Sequence, residues 1–389
     1  MKHLAVAASA LAVAASGAQA GGLDRSGTPI DIIFEQGNYA EVSLGFVDPD
    51  ITGRDFAGNN VGNVGDDFTI LGGGIKLDFG GPVSFALIYD EPYGSDVLWG
   101  GGRSATLLGG TKADAESNGL TALIKYQATD RISVYGGPRV ASAEGEIVLG
   151  GLGFSAGAFA GTGPDLNGYT ATFDSTTGVG AVVGAAYEIP KIAFRASLTW
   201  HSSIDINMRT TEAFPASFGN PALTGSGVTG PAATTGSTNV ELPQTFKLAV
   251  QSGIAKNTLV FGSVRYAKWE DFSLIPPVLR IDLATLDSSI TYEIGIGRRF
   301  TERLSGSISY TLDDSDGDDL VSPLAPTDGS QAISIGAKYK LTDMIDISGG
   351  IRYTWLGDAT PEIGTPDTPL ADFDNNDAIS AGLKLGVHF

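Results

Sequence analysis

The carboxyl end of the chain is an alternating strand that finishes in an aromatic residue. From Ile379 to Phe389 every second residue is apolar, and the residues between them are Ser, Gly, Lys, Gly and His. Successive side chains of a strand point to opposite faces, so one face here is apolar and the other polar. A single strand of this kind also fits a soluble sandwich. The pattern recurs along the chain, which favours a barrel with one face toward lipid and one toward a lumen.

The amino terminus resembles a secretory signal peptide. Lys2 precedes a run of Ala, Leu and Val, and Ala18-Gln19-Ala20 has the small-x-small pattern of a cleavage site, so we expect residues 1–20 to be removed. No later segment offers the roughly 20 uninterrupted apolar residues that a spanning helix needs. Any membrane span is therefore predicted to be β, and the predicted location is the bacterial outer membrane, crossed many times.

Composition excludes several classes of protein. The formal net charge of −20 disfavours nucleic-acid partners. The chain has no cysteine, which excludes a disulfide framework and a thiolate metal site. No linker separates two types of composition, so we expect one barrel domain, at 38–389, behind a short segment at 21–37.

Fourteen strands are predicted, joined alternately by short turns and by much longer links. Short periplasmic turns and long extracellular loops are typical of outer-membrane barrels, and an even strand number places both termini on the periplasmic side. The predicted fold is thus all-β, a 14-stranded antiparallel transmembrane barrel with a short amino-terminal plug; a soluble sandwich is the disfavoured alternative. The predicted strands are 38–47, 67–79, 82–91, 115–127, 131–143, 178–188, 191–210, 243–253, 257–269, 287–300, 303–312, 331–341, 344–356 and 377–389.

Six short motifs occur in a fixed order: Gly21–Gly27, Phe34–Tyr39, Ile88–Gly94, Leu242–Phe246, Trp269–Phe272 and Asp313–Ser315. Together they resemble the FadL family of outer-membrane transport proteins, also called OMPP1/TodX. The resemblance implies a fourteen-stranded barrel closed by an amino-terminal hatch. It also implies that long-chain fatty acids and other hydrophobic compounds are taken from outside and released sideways through a gap at a kinked third strand.

The amino-terminal segment departs from the family pattern. Better-known members have a longer hatch with an Asn-Pro-Ala element, whereas here only 21–37 precedes the first strand. The Asn220-Pro221-Ala222 of this chain lies in a predicted loop instead. We therefore expect only a short plug.

Pro92-Tyr93-Gly94 matches the Pro-aromatic-Gly segment that the family carries on its third strand. Proline lacks the ladder donor and glycine weakens a strand interior, so pairing is expected to break there. A lateral-opening kink is predicted at these three residues. The alternative is that Pro92 simply ends the strand at a loop.

Alternation places several basic side chains inside the barrel. Family members that bind fatty acids use such residues to hold the carboxylate, and Arg139 and Arg265 are predicted to do so here. The alternative for each is an ion pair with an Asp or Glu of the protein. The full set is Lys125, Arg139, Arg195, Lys247, Arg265, Arg299, Lys338, Arg352 and Lys384.

Two long loops, 150–177 and 211–238, are rich in Gly and Thr and also contain phenylalanines. Phe214 and Phe218 are predicted ligand-binding residues, and with Phe154 and Phe159 they could form an apolar landing groove for acyl chains. The alternative is loop tips without fixed structure.

Neither catalysis nor metal binding is predicted. Neighbouring residues of a strand point to opposite faces, so His201 is poorly placed to activate Ser202. The acidic run 313–319 lacks the glutamate that ends a calcium-binding loop. We expect no enzyme activity, no metal site and no cofactor.

The leading hypothesis is a passive channel for hydrophobic molecules such as fatty acids or hydrocarbons. The alternatives are a water-filled porin and a surface-exposed adhesive or structural barrel. Expected partners are outer-membrane lipid and lipopolysaccharide and the barrel assembly machinery, for which Phe389 is the predicted signal. The protein is expected to be a monomer.

Overall fold

The computed structural model describes residues 23–155, 165–215, 233–284, 286–315, 320–364 and 368–389. The predicted signal peptide lies outside these residues. The described chain is almost entirely β, with short 3-10 helices at Asp31–Phe34, Leu152–Phe154 and Pro190–Ile192. None of its helices is long and apolar enough to cross a membrane.

Fourteen antiparallel strands of the described chain form one closed barrel. The last strand closes on the first, from Tyr39 opposite His388 to Asp50 opposite Asp377. In chain order β1 to β14 are Tyr39–Asp50, Phe68–Asp78, Val83–Asp90 with Gly94–Leu98, Lys112–Gln127, Ile132–Leu149, Tyr169–Ile189, Phe194–His201 with Ile204–Ala213, Thr234–Leu242 with Thr245–Ala255, Thr258–Ala267, Ser289–Arg299, Leu304–Ser315, Ser330–Lys340, Ile345–Leu356 and Asp377–His388.

The predicted fold is confirmed, and each predicted strand is present. The differences concern length. Strands β4 to β8 extend further toward the long loops than predicted, β6 beginning at Tyr169 and β8 at Thr234. These strands form a wall that rises above the rest of the barrel on one side.

In the lower part of the barrel, side chains alternate as expected for a membrane wall. In β14, Leu383 is 63% exposed on the outer face whereas Lys384 is buried on the inner face. Outward apolar residues meet lipid, where a charged side chain would be costly.

The polarity reverses in the upper part of β7 and β8. Both strands are interrupted at the same level, β7 at 202–203 and β8 at 243–244. Above the interruption, Ile206 and Met208 are buried inside while Asp205 and Asn207 are exposed outside. An extra residue in a strand shifts its side chains to the other face. The upper wall therefore has a polar exterior and an apolar interior.

The segment before β1 runs inside the barrel. In the 3-10 helix Asp31–Phe34, Ile32 and Ile33 are buried against inward residues of β3 to β6, among them Ile88 and Leu123. The Phe34 ring centre lies 5.0 Å from Lys125 Nζ and 4.2 Å from Arg195 Cζ. Such cation–π contacts hold the helix to the periplasmic part of the wall.

The long loops pack together over the open end of the lumen. Small sheets join Thr52–Asp55 with Asn60–Asn63 and Ala371–Asp372, and Thr360–Ile363 with Leu320–Val321 and Thr368–Pro369. The buried Trp99 donates its indole N–H to the Pro323 carbonyl at 2.8 Å. Distant loops are thereby tied into one cover.

Candidate functional site

An apolar chamber lies in the upper part of the lumen and contains about 780 Å³ of empty space, part of it open to solvent. The four acidic residues on its lining alternate along β4 and β5 with buried inward residues such as Ala113 and Ile147, so their carboxylates point to the outer face. The apolar side chains that define it are Leu23, Tyr93, Phe173, Met208, Leu242, Trp269, Phe272, Leu286 and Leu324.

The loop after β9 supplies the largest side chain of the apolar chamber. The Trp269 ring lies 5.0 Å from that of Tyr93 and 5.7 Å from that of Phe272. The loop is anchored further along by the buried carboxylate of Glu212, which accepts hydrogen bonds from the backbone N–H groups of Val278 and Leu279, both at 2.8 Å. A buried carboxylate with several donors is stable and holds the loop in place.

A second cavity, the middle chamber, lies below the first and encloses about 1330 Å³ of empty space, part of it open to solvent. Its inner side is polar and carries Lys247, Arg265, Glu293 and Arg352 among others. Its opposite side includes Leu44, Leu71 and Tyr89, which are 51%, 46% and 37% exposed on the outer face of the barrel. The middle chamber therefore extends from the lumen to the wall that β1, β2 and β3 form.

The barrel wall is interrupted beside the middle chamber. Regular pairing of β2 with β3 stops at Gly73 opposite Tyr89. Beyond that point the Glu91 carboxylate accepts the backbone N–H of Leu71 at 2.9 Å, in place of a ladder partner. Strand β3 itself is broken between Asp90 and Gly94. This wall break lies at Pro92-Tyr93-Gly94, and that these residues form a lateral opening stays a prediction.

The amino-terminal segment covers the wall break from inside. Gly94 donates its N–H to Leu23, and Arg25 donates its N–H to Pro92, both at 2.8 Å. The Arg25 guanidinium pairs with Asp96 and lies 4.3 Å over the Phe68 ring of β2. A Cβ on Gly94 would collide with this guanidinium, so any other residue there would require the Arg25 side chain to shift.

Arg139 and Arg265 lie inside the barrel, as the alternation predicts, and both are paired with carboxylates of the protein. Arg139 contacts Asp90 at 3.0 Å and Thr121 at 2.7 Å. Arg265 Nη1 lies 2.5 Å from Asp24 Oδ2. Only Arg265 of the two lines the middle chamber. That either side chain binds a ligand stays a prediction.

The predicted phenylalanine groove is only partly described. Phe214 is buried, with its ring 5.1 Å from that of Tyr169, and Phe154 packs on the edge of the same apolar cluster. Phe159, Phe218 and the Asn220-Pro221-Ala222 element lie outside the described residues. A ligand-binding role of Phe214 and Phe218 stays a prediction.

His201 and Ser202 do not form a catalytic pair. His201 Nδ1 lies 3.3 Å from Thr245 Oγ1, whereas Ser202 Oγ accepts the N–H of Ala181 and donates to the Ser203 carbonyl. Within the described ranges, no group of acidic or histidine side chains has an arrangement that could hold a metal ion. Part of the acidic run, 316–319, lies outside them.

Sequence reasoning did not assign Leu23, Tyr93, Met208 or Trp269 to a ligand chamber. A signal was available for three of them, because Leu23, Tyr93 and Trp269 each belong to a motif of the family resemblance. No comparable signal marks Met208, since its inward orientation depends on the interruption below it.

A closed membrane barrel whose lumen holds an apolar chamber, and a second cavity beside a break in strand pairing, has the architecture of an outer-membrane transport barrel. The chain belongs to the family of outer membrane protein transport proteins (OMPP1/FadL/TodX), whose model matches residues 80–369. The predicted family and outer-membrane location are thereby confirmed. No curated protein matches the chain in sequence.

Solved structures of similar fold come from the same family. A Pseudomonas aeruginosa FadL homologue aligns with a TM-score of 0.73 at 15% identity, covering 93% of this chain and 92% of its own. The Pseudomonas putida toluene transporter TodX has a TM-score of 0.65 at 16% identity, with 92% of each chain covered. The Ralstonia pickettii toluene transporter TbuX has a TM-score of 0.63 at 13% identity, with 97% of each covered. At sequence identities this low, these alignments show similarity of fold alone.

Proposed function

We propose that this barrel is a passive channel that captures hydrophobic molecules, long-chain fatty acids among them, in the apolar chamber and releases them sideways through the wall break. One observation carries the proposal: a single lumen holds an apolar chamber next to a cavity that borders the break in the strand pairing of the lipid-facing wall. Neither enzymatic chemistry nor a cofactor is part of it.

Capture follows from the lining of the apolar chamber. Each methylene moved from water into such a site contributes about 0.8 kcal/mol. Aromatic side chains such as Trp269, Tyr93 and Phe173 add contact area without flexible chains to order. Binding energy of this kind needs no specific head group, which suits a range of hydrophobic ligands.

Release requires a shift of the amino-terminal segment. Leu23 and Arg25 hold the broken ends of β3, and the Arg25 side chain bridges Phe68 and Asp96 across the wall break. A ligand that leaves sideways must displace this bridge. The segment 21–37 then serves as a short plug, anchored through Phe34.

The experiment that tests lateral release closes the wall break reversibly. Because the chain has no cysteine, Leu71→Cys with Glu91→Cys introduces a unique pair across the break. A short thiol cross-linker with a cleavable disulfide should abolish uptake of a labelled hydrophobic compound by cells, and reduction should restore it.

The control pair is Leu120→Cys with Val140→Cys, which are register partners of β4 and β5 on the outer face, away from the wall break. Cross-linking there should leave uptake unchanged. Uptake that persists with the break demonstrably cross-linked would contradict lateral release and favour axial passage, as in the porin alternative.

Assembly and surroundings belong to the same proposal. Phe389 follows β14 directly, is 55% exposed and donates its N–H to Asn38 at 3.1 Å. It can therefore be presented to the barrel assembly machinery while the last strand closes on the first. The barrel is proposed to work as a monomer among outer-membrane lipid and lipopolysaccharide.

Deletion of Phe389 should reduce the amount of folded, heat-modifiable barrel in outer membranes, because the terminal aromatic that marks the last strand is lost. Replacement by Tyr should keep it. Equal amounts of folded barrel in the deletion and the parent would contradict the assembly role.

A further inference from the structure

We infer that the apolar chamber recognises an uncharged oxygen atom of its ligand through the indole N–H of Trp269. Its preferred ligands are then hydrophobic ketones, esters and alcohols rather than plain hydrocarbons. The inference rests on the proposed function and names the class of compound that the apolar chamber captures.

The Trp269 side chain is fully buried, yet its N–H has no acceptor. Its exposed fraction is 0%, and among the described residues none accepts a hydrogen bond from its Nε1. Trp99, which is 1% exposed, differs in that it donates its N–H to the Pro323 carbonyl at 2.8 Å. Buried donors without a partner are rare in native proteins and costly. Because Trp269 lines the apolar chamber, a ligand can supply the acceptor.

The surroundings of Trp269 hold its side chain in place. Its ring packs at 79° to the Tyr93 ring and at 71° to the Phe272 ring. Its backbone is fixed as well, since Lys268 donates its N–H to the Gln244 carbonyl at 3.0 Å and Phe272 donates to the Trp269 carbonyl at 2.7 Å. These contacts fix the orientation of the indole, so its N–H does not turn toward an acceptor elsewhere in the protein.

The chemistry of the chamber lining favours an uncharged acceptor. The hydroxyl of Ser95 donates to the Leu324 carbonyl at 2.8 Å, and that of Ser117 donates to the Tyr93 carbonyl at 2.6 Å, so both serines already have acceptors. Among the described residues that line the chamber, none is basic. A carboxylate buried without a cation is costly, whereas a carbonyl or hydroxyl oxygen needs only a donor. A fatty acid fits this site in its protonated form.

One N–H can distinguish ligands because of what stays unpaired without it. A bound hydrocarbon leaves the Trp269 N–H buried without an acceptor, as in the empty chamber. A bound ketone of the same length satisfies the N–H and has its own oxygen satisfied in return. Sites that hydrogen-bond a ligand discriminate strongly against analogues that lack the polar group, since the site's buried donor is then left unpaired.

The test compares octan-2-one with octane, two probes of equal chain length that differ in one oxygen. Trp269→Phe keeps an aromatic ring but removes the N–H. It should lower the affinity for octan-2-one about tenfold more than the affinity for octane, because the buried carbonyl loses its donor. Flow dialysis of radiolabelled probes against the purified barrel in lipid nanodiscs measures both affinities, with empty nanodiscs as the background.

A second variant keeps the shape of the side chain, because phenylalanine is also smaller than tryptophan. Replacement of Trp269 by 3-benzothienylalanine puts sulfur in place of the N–H and retains the fused ring. It should lower the affinity for octan-2-one about tenfold and change that for octane less than about twofold. Met208→Leu is the matched control in the same chamber, since it conserves volume and removes no donor. Both affinities should then change by the same factor.

Equal losses for both probes in the two Trp269 variants would overturn the inference, because the side chain would then act through contact area alone. Unchanged affinity for octan-2-one in both variants would overturn it as well, and would indicate that the N–H is satisfied within the protein, for example by the face of the Tyr93 ring. A parent protein that binds neither probe would instead contradict the proposed capture in the apolar chamber.

Infrared spectroscopy reports the hydrogen bond directly. The carbonyl stretch of isotope-labelled octan-2-one moves to lower wavenumber when its oxygen accepts a hydrogen bond. In the parent, the band of the bound probe should lie below its position in octane solution, and in Trp269→Phe it should return toward that position. A band of the parent complex that stays at its position in octane would overturn the inference.

Discussion

The apolar and middle chambers belong to one lumen and share strands, yet their linings differ in polarity. In the upper part of β7 and β8 the inner face carries Ile206, Met208 and Leu242. In the lower part of the same strands it carries Thr199, His201 and Lys247. The difference follows from what lies outside the wall. Lipid outside the lower wall takes the apolar side chains, whereas water outside the upper wall leaves them for the interior.

This contrast suggests that the apolar chamber and the middle chamber have different roles in transport. An apolar interior binds hydrophobic ligands tightly, but a channel lined in that way throughout would retain them. A polar lower chamber binds the apolar part of a ligand less tightly. The bilayer next to the wall break is then the more favourable environment for the ligand. In the proposed function, ligand capture in the apolar chamber and ligand release from the middle chamber are therefore separate properties of one barrel.

The largest effect is expected from placing a charge in the upper interior. Ile206→Asp puts a carboxylate at a fully buried site and should destabilise the barrel by more than about 4 kcal/mol. The measurement is urea unfolding together with heat modifiability. Asn207→Asp, one residue along on the outer face, should change stability by less than about 0.5 kcal/mol. Equal effects would show that the two faces do not differ as described.

The next largest effect concerns the ion pair that supports the wall next to the break. Arg139→Met leaves Asp90 buried without its partner and should cost about 3–5 kcal/mol of unfolding free energy. Adding Asp90→Asn should recover most of this loss in urea unfolding.

Oleate binding to the double variant decides what Arg139 does. Affinity close to that of the parent would show that Arg139 stabilises the wall. An affinity loss that persists in the stable double variant would support the sequence prediction that Arg139 holds the ligand carboxylate.

The smallest effect is expected in ligand affinity. Trp269→Ala removes the largest side chain of the apolar chamber and should weaken hydrophobic ligand binding about tenfold, or about 1.4 kcal/mol. Trp269→Phe retains an aromatic ring. It should keep most of the affinity for a hydrocarbon ligand if the loss in Trp269→Ala comes from the missing contact and not from misfolding. Trp355→Ala, on the lipid face of β13, should leave binding unchanged. Titration by ligand-induced fluorescence change measures all three.

Much of the fold could be predicted from alternation and turn lengths. The number of strands, the interruption of β3 near Pro92 and the inward side of Arg139 and Arg265 all follow from local patterns. The partners of these arginines could not be predicted. Asp90 and Asp24 reach them through the barrel interior, and no local pattern encodes contacts between residues so far apart in the chain.

The sequence by itself determined that this chain forms a membrane barrel, because a period of two with apolar residues on one face is stable as a closed sheet in lipid. It did not determine which face is inside in the upper wall. The segment around Ile206 alternates just as a membrane strand does, and only the interruptions at 202–203 and 243–244 turn its apolar face inward. Polarity above the membrane was decided by the tertiary structure, since an extra residue reverses every side chain beyond it.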